Sequence, residues 1–339
     1  MTFRIRPAAR KDCQAIYEMA KLTGGGFTNL PPDRGALRDK LIRSEKAFGK
    51  EAEAPSDDLF VFVLENVETG QIRGTCQVFG LVGVNTPFYS YRVSTLSQTS
   101  QELGRTFRAE MLSLTTDLEG SSEVGGLFLR PDERAGGLGM LLARSRYLFI
   151  RLHRERFARR VVAELRGIID EAGGSPFWDS IAGRFFGMNF QEADEFNAAR
   201  GTQFIADLMP KTPIYTAMLA ETAKAVMGLP HPSGRAAMKM LEREGFRFES
   251  YIDIFDGGPT MIAATDEIAT VRGARDLVVA EIGDGAVDGP RMMLAAGRLG
   301  GFAACYGTLA EEDGRAAIDR ATADALGVSA GASLLAIAR

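Results

Sequence analysis

Histidine, cysteine and tryptophan are scarce in this chain of 339 residues, at two, three and one. The cysteines, Cys13, Cys76 and Cys305, are far apart and odd in number. They show neither CxxC nor Cys/His ligand spacing, so a disulfide framework has no basis and no metal site is expected. They read as reduced structural thiols. Long apolar runs are also missing: the longest are too short or too broken by glycine to span a bilayer, and the charged N-terminus has no signal-peptide core. No membrane association is expected, and cytoplasmic residence follows as the default. Charge of one sign is lacking too. Forty Lys and Arg against 44 Asp and Glu give a net charge of −4 without a basic stripe, which argues against nucleic acid as the main partner.

What is present is apolar residue in quantity, 45% of the chain, enough for a large core. After about Asp266, Gly, Ala and Val runs replace the aromatic-rich sequence. The expected division is therefore a main domain over 1–265 and a small β-rich unit, with a barrel as one form, over 266–339.

The most informative stretch is Gly126-Leu127-Phe128-Leu129-Arg130-Pro131-Asp132-Glu133-Arg134-Ala135-Gly136-Gly137-Leu138-Gly139 and the amphipathic run Met140–Phe157 behind it. It reads as strand, glycine turn and helix start. The first N–H groups of a helix lack intrahelical partners, so a glycine turn there can wrap a phosphate closely. A dinucleotide fingerprint fails because its third glycine position is Leu142, and Walker A fails because no Gly-Lys-Ser/Thr follows. An ordinary glycine turn between strand and helix stays open as the plain reading.

Alternation at Phe3–Ala8 predicts a strand, and helical spacing after Asp12 (Ile16, Met19, Ala20) predicts a helix. Another helix is expected from about Asp33 to Phe48. The runs Leu59–Glu65 and Gln71–Val82 around Glu68-Thr69-Gly70 predict a hairpin. Further strands are expected at Tyr89–Val93, Gly125–Leu129 and Val161–Leu165. Phe177–Phe190 and Ala236–Phe246 each read as a short helix closed near glycine before an aromatic strand. The economical fold is α/β (α+β), a mixed sheet flanked by helices.

Arg134, Gly137 and Gly139 in the order Arg-x-x-Gly-x-Gly resemble the pyrophosphate loop of the GNAT acyltransferases, which bind acyl-coenzyme A. A narrower resemblance rests on rarer strings in order. These are Thr23–Pro31, Pro87–Val93, Ser121-Ser122-Glu123, Leu127-Phe128-Leu129, Asp170-Glu171 before Ser175-Pro176-Phe177-Trp178, Phe185–Phe190, Met209–Tyr215, His231-Pro232 and Asp253–Thr260. Together they resemble the bacterial arginine N-succinyltransferases over about residues 3 to 272.

The resemblance implies a GNAT-like fold and transfer of succinyl from succinyl-CoA, as co-substrate, to the α-amine of L-arginine. It also implies that Leu127 contacts the acyl-CoA and that His231 is the proton donor. Some family members pair related subunits and accept ornithine, so a homo-oligomer or such a pair is expected. Val124-Gly125-Gly126 departs from the family's more usual Leu-Cys-Thr.

The chemistry assigns further candidates. Leu129, Arg134, Gly136, Gly137 and Gly139 join Leu127 as cofactor-binding candidates, through strand edge, cation and loop amides. A guanidinium asks for carboxylates, for which Asp117, Glu123, Asp170 and Glu171 are candidates. Carboxylates of the two substrates ask for Arg92, Arg166 or Lys211. Each of these also reads as a surface charge or cap. His231, bracketed by Pro230 and Pro232, sits in a fixed loop with a pKa suited to proton transfer, whereas His153 reads as a solvated position on a charged helix. Two other readings remain: an N-acyltransferase acting on ornithine or another basic amine, and a non-catalytic acyl-CoA-binding partner subunit.

Overall fold

The computed structural model describes residues 2–23, 29–134, 136–200 and 203–339, with the side chains of 197–200, 205 and 206 outside the description. The string around Gly24–Thr28 and Ala135 of the glycine turn therefore lie outside the described residues.

The main unit begins with β1 (Phe3–Pro7) and helices α1 (Cys13–Lys21) and α2 (Arg34–Phe48). Asp33 starts α2 by accepting the Ala36 N–H at 2.6 Å. The hairpin of β2 (Leu59–Asn66) and β3 (Ile72–Phe79) follows. Its turn is tied by Asn66 Oδ1, which accepts from Glu68 N and Thr69 N, and closes at Gly70 with φ +69°. Every residue of β2 is buried. Leu59, Val61 and Val63 pack under α1 and α2, whereas Phe60, Phe62 and Leu64 face the opposite layer. A strand covered on both faces reads as a continuous apolar run.

The opposite layer is α3 (Leu138–Leu152), whose Leu141, Leu142, Phe149 and Ile150 are buried. Around it run β4 (Ser90–Ser100), β5 (Arg105–Thr115), β6 (Ser122–Leu129), β7 (Arg160–Glu164), β8 (Ile214–Tyr215), β9 (Arg247–Asp253) and β10 (Pro259–Ala264). The C-terminal unit holds β11 (Arg275–Gly283), β12 (Arg291–Ala296), β13 (Ala303–Glu312), β14 (Arg315–Asp319) and β15 (Ser333–Ala338). Strand order is β12-β15-β11-β14-β13-β1-β2-β3-β6-β7-β10-β9-β4-β5-β8, and β12 also pairs β13. That extra pairing closes the five C-terminal strands on themselves as a small barrel, with its own core of Leu277, Val279, Leu294, Cys305 and Ile318. Antiparallel β1–β13 pairing, with Ile5 opposite Ala304, welds the barrel to the main sheet.

The structure corrects four local expectations. The strand at Tyr89–Val93 is the root of a long hairpin arm, β4 with β5, paired from Ser90↔Thr115 out to Ser100↔Arg105. The helix expected to reach Phe157 ends at Leu152. Phe190 opens a helix, Phe190–Arg200, rather than a strand, after two short helices over Pro176–Ser180 and Ala182–Phe186. His153 is buried, not solvated: its Nδ1 lies 3.0 Å from Phe149 O, and its Nε2 accepts the Leu299 N–H at 3.1 Å. Both ring nitrogens are used, so the chain folds the imidazole inward although charged residues surround it in sequence. No helix among the described residues is long and apolar enough to cross a membrane.

Candidate active site

Strands β6 and β7 run parallel but pair only at Ser122↔Val161 and Glu123↔Val162. Beyond that point β6 turns away because it carries a bulge: Thr75 pairs Phe128 and Gln77 pairs Gly125, so Gly126 and Leu127 together oppose Cys76. Gly126 adopts φ +57°, and a Cβ there would fall 2.9 Å from Gln77 Cδ. The bulge therefore depends on glycine. Among the described residues, the β7-facing edge of Val124–Leu129 has no strand partner. The result is a crevice in the sheet floored by backbone polar groups, with Leu127 and Leu129 half-buried beside it.

One end of the crevice meets the glycine turn. Gly136 and Gly137 take φ +70° and +84°, and Gly137 is the residue before the first turn of α3. Residues of the barrel hold this turn: Tyr306 donates its hydroxyl to Gly137 O at 3.1 Å and Arg339 Nη2 donates to Gly136 O at 2.5 Å. Gly139 lies in the first helical turn, and Arg134 is exposed at the end of the preceding 3-10 turn.

At the other end stands a group of buried and half-buried carboxyls. Glu123 (β6) is buried, and its Oε1 accepts the Asn29 amide N–H at 3.3 Å. Asn29 is held in turn by Gln77 Nε2 at 2.7 Å, and its carbonyl accepts from Lys40 of α2. Burial, reinforced by Asp253, raises the Glu123 carboxyl to about 6, against the pull of Asn29 and Lys40. Burial also lowers the Lys40 ammonium to about 8. Glu164, the last residue of β7, is pushed well above the usual carboxylate range by burial and then by Asp253, Glu123 and Asp256. Asp253 is raised by burial. Asp256 is raised to about 7 by burial and by Asp253.

The turn Asp253–Gly258 explains why these groups converge. Asp253 Oδ1 accepts from Phe255 N (2.7 Å) and Asp256 N (2.9 Å), and Asp256 bridges Gly167 N (2.7 Å) and Gly258 N (2.8 Å). A side chain at Gly258 would collide with Leu165 O, so only glycine lets the turn lie against the end of β7. His231 docks on the same extension of β7, its N–H donating to Arg166 O at 2.7 Å. Its Nδ1 accepts the Ser233 N–H at 3.2 Å and lies 2.7 Å from Ser233 Oγ. Partial burial and the Arg166 charge lower its pKa, which keeps the imidazole neutral near pH 7. The Arg166 Nε is buried without a hydrogen-bond partner.

The structure thus brings Glu123, Leu127, Leu129, Gly136, Gly137 and Gly139 to the crevice and places His231 and Arg166 on the extension of β7. Other candidates lie elsewhere. Arg92 is exposed, with Nη1 3.6 Å from Asp117 and its guanidinium over the Tyr251 ring. Asp170 closes its own turn by accepting from Ala172 N and Gly174 N, and Glu171 is exposed in that turn. Lys40, Glu164, Asp253 and Asp256 were absent from the sequence candidates. For Glu164 and Asp253 the available signal was a carboxylate ending an otherwise apolar strand, as in Val161-Val162-Ala163-Glu164 and Tyr251-Ile252-Asp253. Cys76 and Cys305 are buried and their thiols are held up at about 11 and about 12, so neither is a ready nucleophile. Among the described residues, no three His, Cys, Asp or Glu side chains are grouped to hold a metal ion.

A mixed sheet split between two parallel strands, with a glycine turn feeding the helix behind it, defines a GNAT-like acyltransferase fold. The chain belongs to the family described as arginine N-succinyltransferase beta subunit, whose model matches residues 3–270, and a model of that family's C-terminal domain matches residues 275–338. It is 46% identical over 277 residues to the arginine N-succinyltransferase of Citrobacter koseri, covering 82% of this chain and 80% of that one. The Escherichia coli enzyme of the same name is 46% identical over 278 residues, with the same coverage. In fold the chain is similar to arginine/ornithine succinyltransferase subunit AI from Pseudomonas aeruginosa, at TM-score 0.91 and 34% identity, over 99% of this chain and 98% of that one.

Proposed function

We propose that this chain transfers the succinyl group of succinyl-CoA to the α-amine of L-arginine, giving N2-succinyl-L-arginine and CoA. The observation that carries the reading is the crevice opened at Gly126, with the glycine turn at one end and ionisable groups on β7 and its extension at the other. The relatives matched over four-fifths of both chains are named for arginine and a succinyl group, which supports this choice of acceptor and of transferred group.

In this reading the pantetheine arm lies along the open edge of Val124–Leu129, packed against Leu127 and Leu129. The amides of Gly136 to Gly139, with Arg134, hold the pyrophosphate at the positive end of α3. The thioester oxygen meets backbone N–H groups near the bulge, which stabilise the oxyanion as the amine adds. Collapse of the tetrahedral adduct breaks the C–S bond. The proton lost by the amine and the proton gained by sulfur balance, and His231 carries it: a neutral imidazole accepts from nitrogen and delivers to the thiolate. Arg166, with its unpartnered buried donor, supplies a cation for a substrate carboxylate. No acyl-enzyme is required, consistent with the raised thiols. We read residues 1–265 as the catalytic unit and 266–339 as a β-rich unit that steadies the glycine turn. The family description and the Pseudomonas relative both name a subunit, which supports reading the chain as one member of an assembly.

The test is to mix purified protein with succinyl-CoA and L-arginine and follow thiol release together with product mass, with L-ornithine in parallel. Arginine-dependent release with a succinylated product is expected. His231→Ala is expected to lower kcat by roughly 10²-fold or more while leaving the KM for succinyl-CoA nearly unchanged. Release that is independent of arginine, or an unchanged kcat in the variant, would remove the corresponding part of the proposal.

A further inference from the structure

We infer that Glu164 and Asp253 form the subsite that holds the guanidinium of the acceptor, an assignment that rests on the transfer to arginine proposed above. The two carboxyls come from neighbouring parts of one sheet face. Thr260 is the cross-strand partner of Glu164, and Ser90 is the cross-strand partner of Asp253. Directly paired residues of antiparallel strands project to the same face, so both hydroxyls lie with the carboxyls. Glu123 shares that face, because it pairs Val162, two residues before Glu164.

Three observations point to a cationic guest. First, the Ser90 and Thr260 hydroxyls are fully buried and have no hydrogen-bond partner. Buried polar atoms are nearly always paired, so two orphans beside two carboxyls mark a place built for a polar group rather than for apolar packing. Second, the Glu164 carboxyl has no hydrogen bond or ion pair to any described residue, and the residue is only half-buried. Asp253 commits Oδ1 to its turn and lies beside the Asp256 carboxyl, while its Oδ2 accepts from no N–H among the described residues. Third, the charges are uncompensated. Lys40 lies on the Glu123 side, and Arg166 faces Asp256 and Asp194. The carboxyls are not grouped as a metal cage. A planar guanidinium with five N–H donors suits such a set, since it can span two carboxylates at once.

The subsite also explains selectivity between basic and neutral acceptors. Citrulline has nearly the shape of arginine but carries no charge at its ureido end, so it would leave the carboxyl pair unneutralised.

The deciding experiment measures L-arginine binding by calorimetry on the CoA-loaded protein, alongside steady-state kinetics with L-arginine and L-citrulline. The proteins compared are wild type, Glu164→Gln and Asp253→Asn; the last keeps the Oδ1 acceptor of the turn. We expect each variant to weaken arginine binding by roughly 10-fold or more, the loss of a charged hydrogen bond. CoA affinity should be unchanged, and the preference for arginine over citrulline should shrink. Arginine binding that depends on Glu164 in a protein that turns nothing over would uphold the subsite and sink the transfer reaction. Arginine turnover with Kd and preference unchanged in both variants would sink the subsite and uphold the reaction. A variant that loses arginine and citrulline turnover equally, with CoA binding intact and arginine Kd unmoved, would also overturn the guanidinium assignment.

Discussion

At the residue scale the chemistry of the crevice hangs on a backbone angle. Gly126 sits at φ +57° with Gln77 pressed against the position a Cβ would take. A β-branched residue there must either abandon that angle or displace Gln77, and Gln77 holds Asn29, which holds Glu123. We expect Gly126→Val to lower stability by about 2 kcal/mol, from the left-handed conformation and the clash together. The KM for succinyl-CoA should rise more than the KM for arginine, because the flattened bulge closes the edge that the pantetheine uses. Denaturant melts and two-substrate kinetics would check this; a stability loss with both KM values unmoved would detach the bulge from cofactor binding. The sequence displays Gly125-Gly126 plainly, and the glycine turn at Gly136–Gly139 was legible for the same reason. Which glycine is left-handed was not legible, because the register between β3 and β6 decides it. Glu164 and Asp253 were hidden differently: each stands at the end of a strand, where a carboxylate ordinarily marks the surface.

At the element scale, the end of α3 shows how a charged run can mislead. Arg151-Leu152-His153-Arg154-Glu155-Arg156 has the composition of a solvated helix, but the helix stops at Leu152 and His153 turns back to lie 4.3 Å from the Phe149 ring. Tertiary contacts, with Leu299 at the edge of the barrel, override the local pattern. Burial, aided by Arg298 and Arg156, holds the His153 imidazole down at about 4. The folded pKa lies below the unfolded value of about 6.5, so the unfolded chain takes up the proton first. The contribution is fully present above pH 6.5 and is lost as pH falls from there toward 4. The full loss is up to about 3 kcal/mol. The urea midpoint should therefore drop between pH 7 and pH 4.5, and drop less in His153→Gln; equal drops would acquit this residue. The hairpin arm of β4 and β5 was illegible for another reason. Its outer half, Leu96 to Phe107, is exposed on both faces, so no burial imposes an apolar alternation on the sequence. The strands β2, β3, β6 and β7 were legible because burial imposes an apolar pattern on them, a continuous run in β2.

At the scale of the whole molecule, the division in composition near Asp266 does not correspond to a division in packing. The barrel closes through β12–β13 and has an interior of its own, yet the opposite faces of its strands belong to the main core. Met293, Ala295, Ala304, Tyr306, Leu335 and Ile337 pack in one cluster with Ile5, Phe62, Leu142 and Phe149. Polar ties repeat the pattern: Arg144 reaches Thr270 and Ala338 O, and Arg151 pairs Asp276 at 2.8 Å. Two units that share a core cannot expose it separately without losing the burial of both faces, and apolar burial is the dominant favourable contribution to folding. We therefore expect intact protein to unfold in a single calorimetric transition whose calorimetric and van't Hoff enthalpies agree. A chain cut to residues 1–274 should fail to accumulate in soluble folded form, because it bares the edge of β1 and the apolar face that the barrel covers. Two resolved transitions, or a soluble 1–274 fragment that still binds CoA, would show that the barrel is an independent appendage. In that case the hold of Tyr306 and Arg339 on the glycine turn would be incidental to cofactor binding.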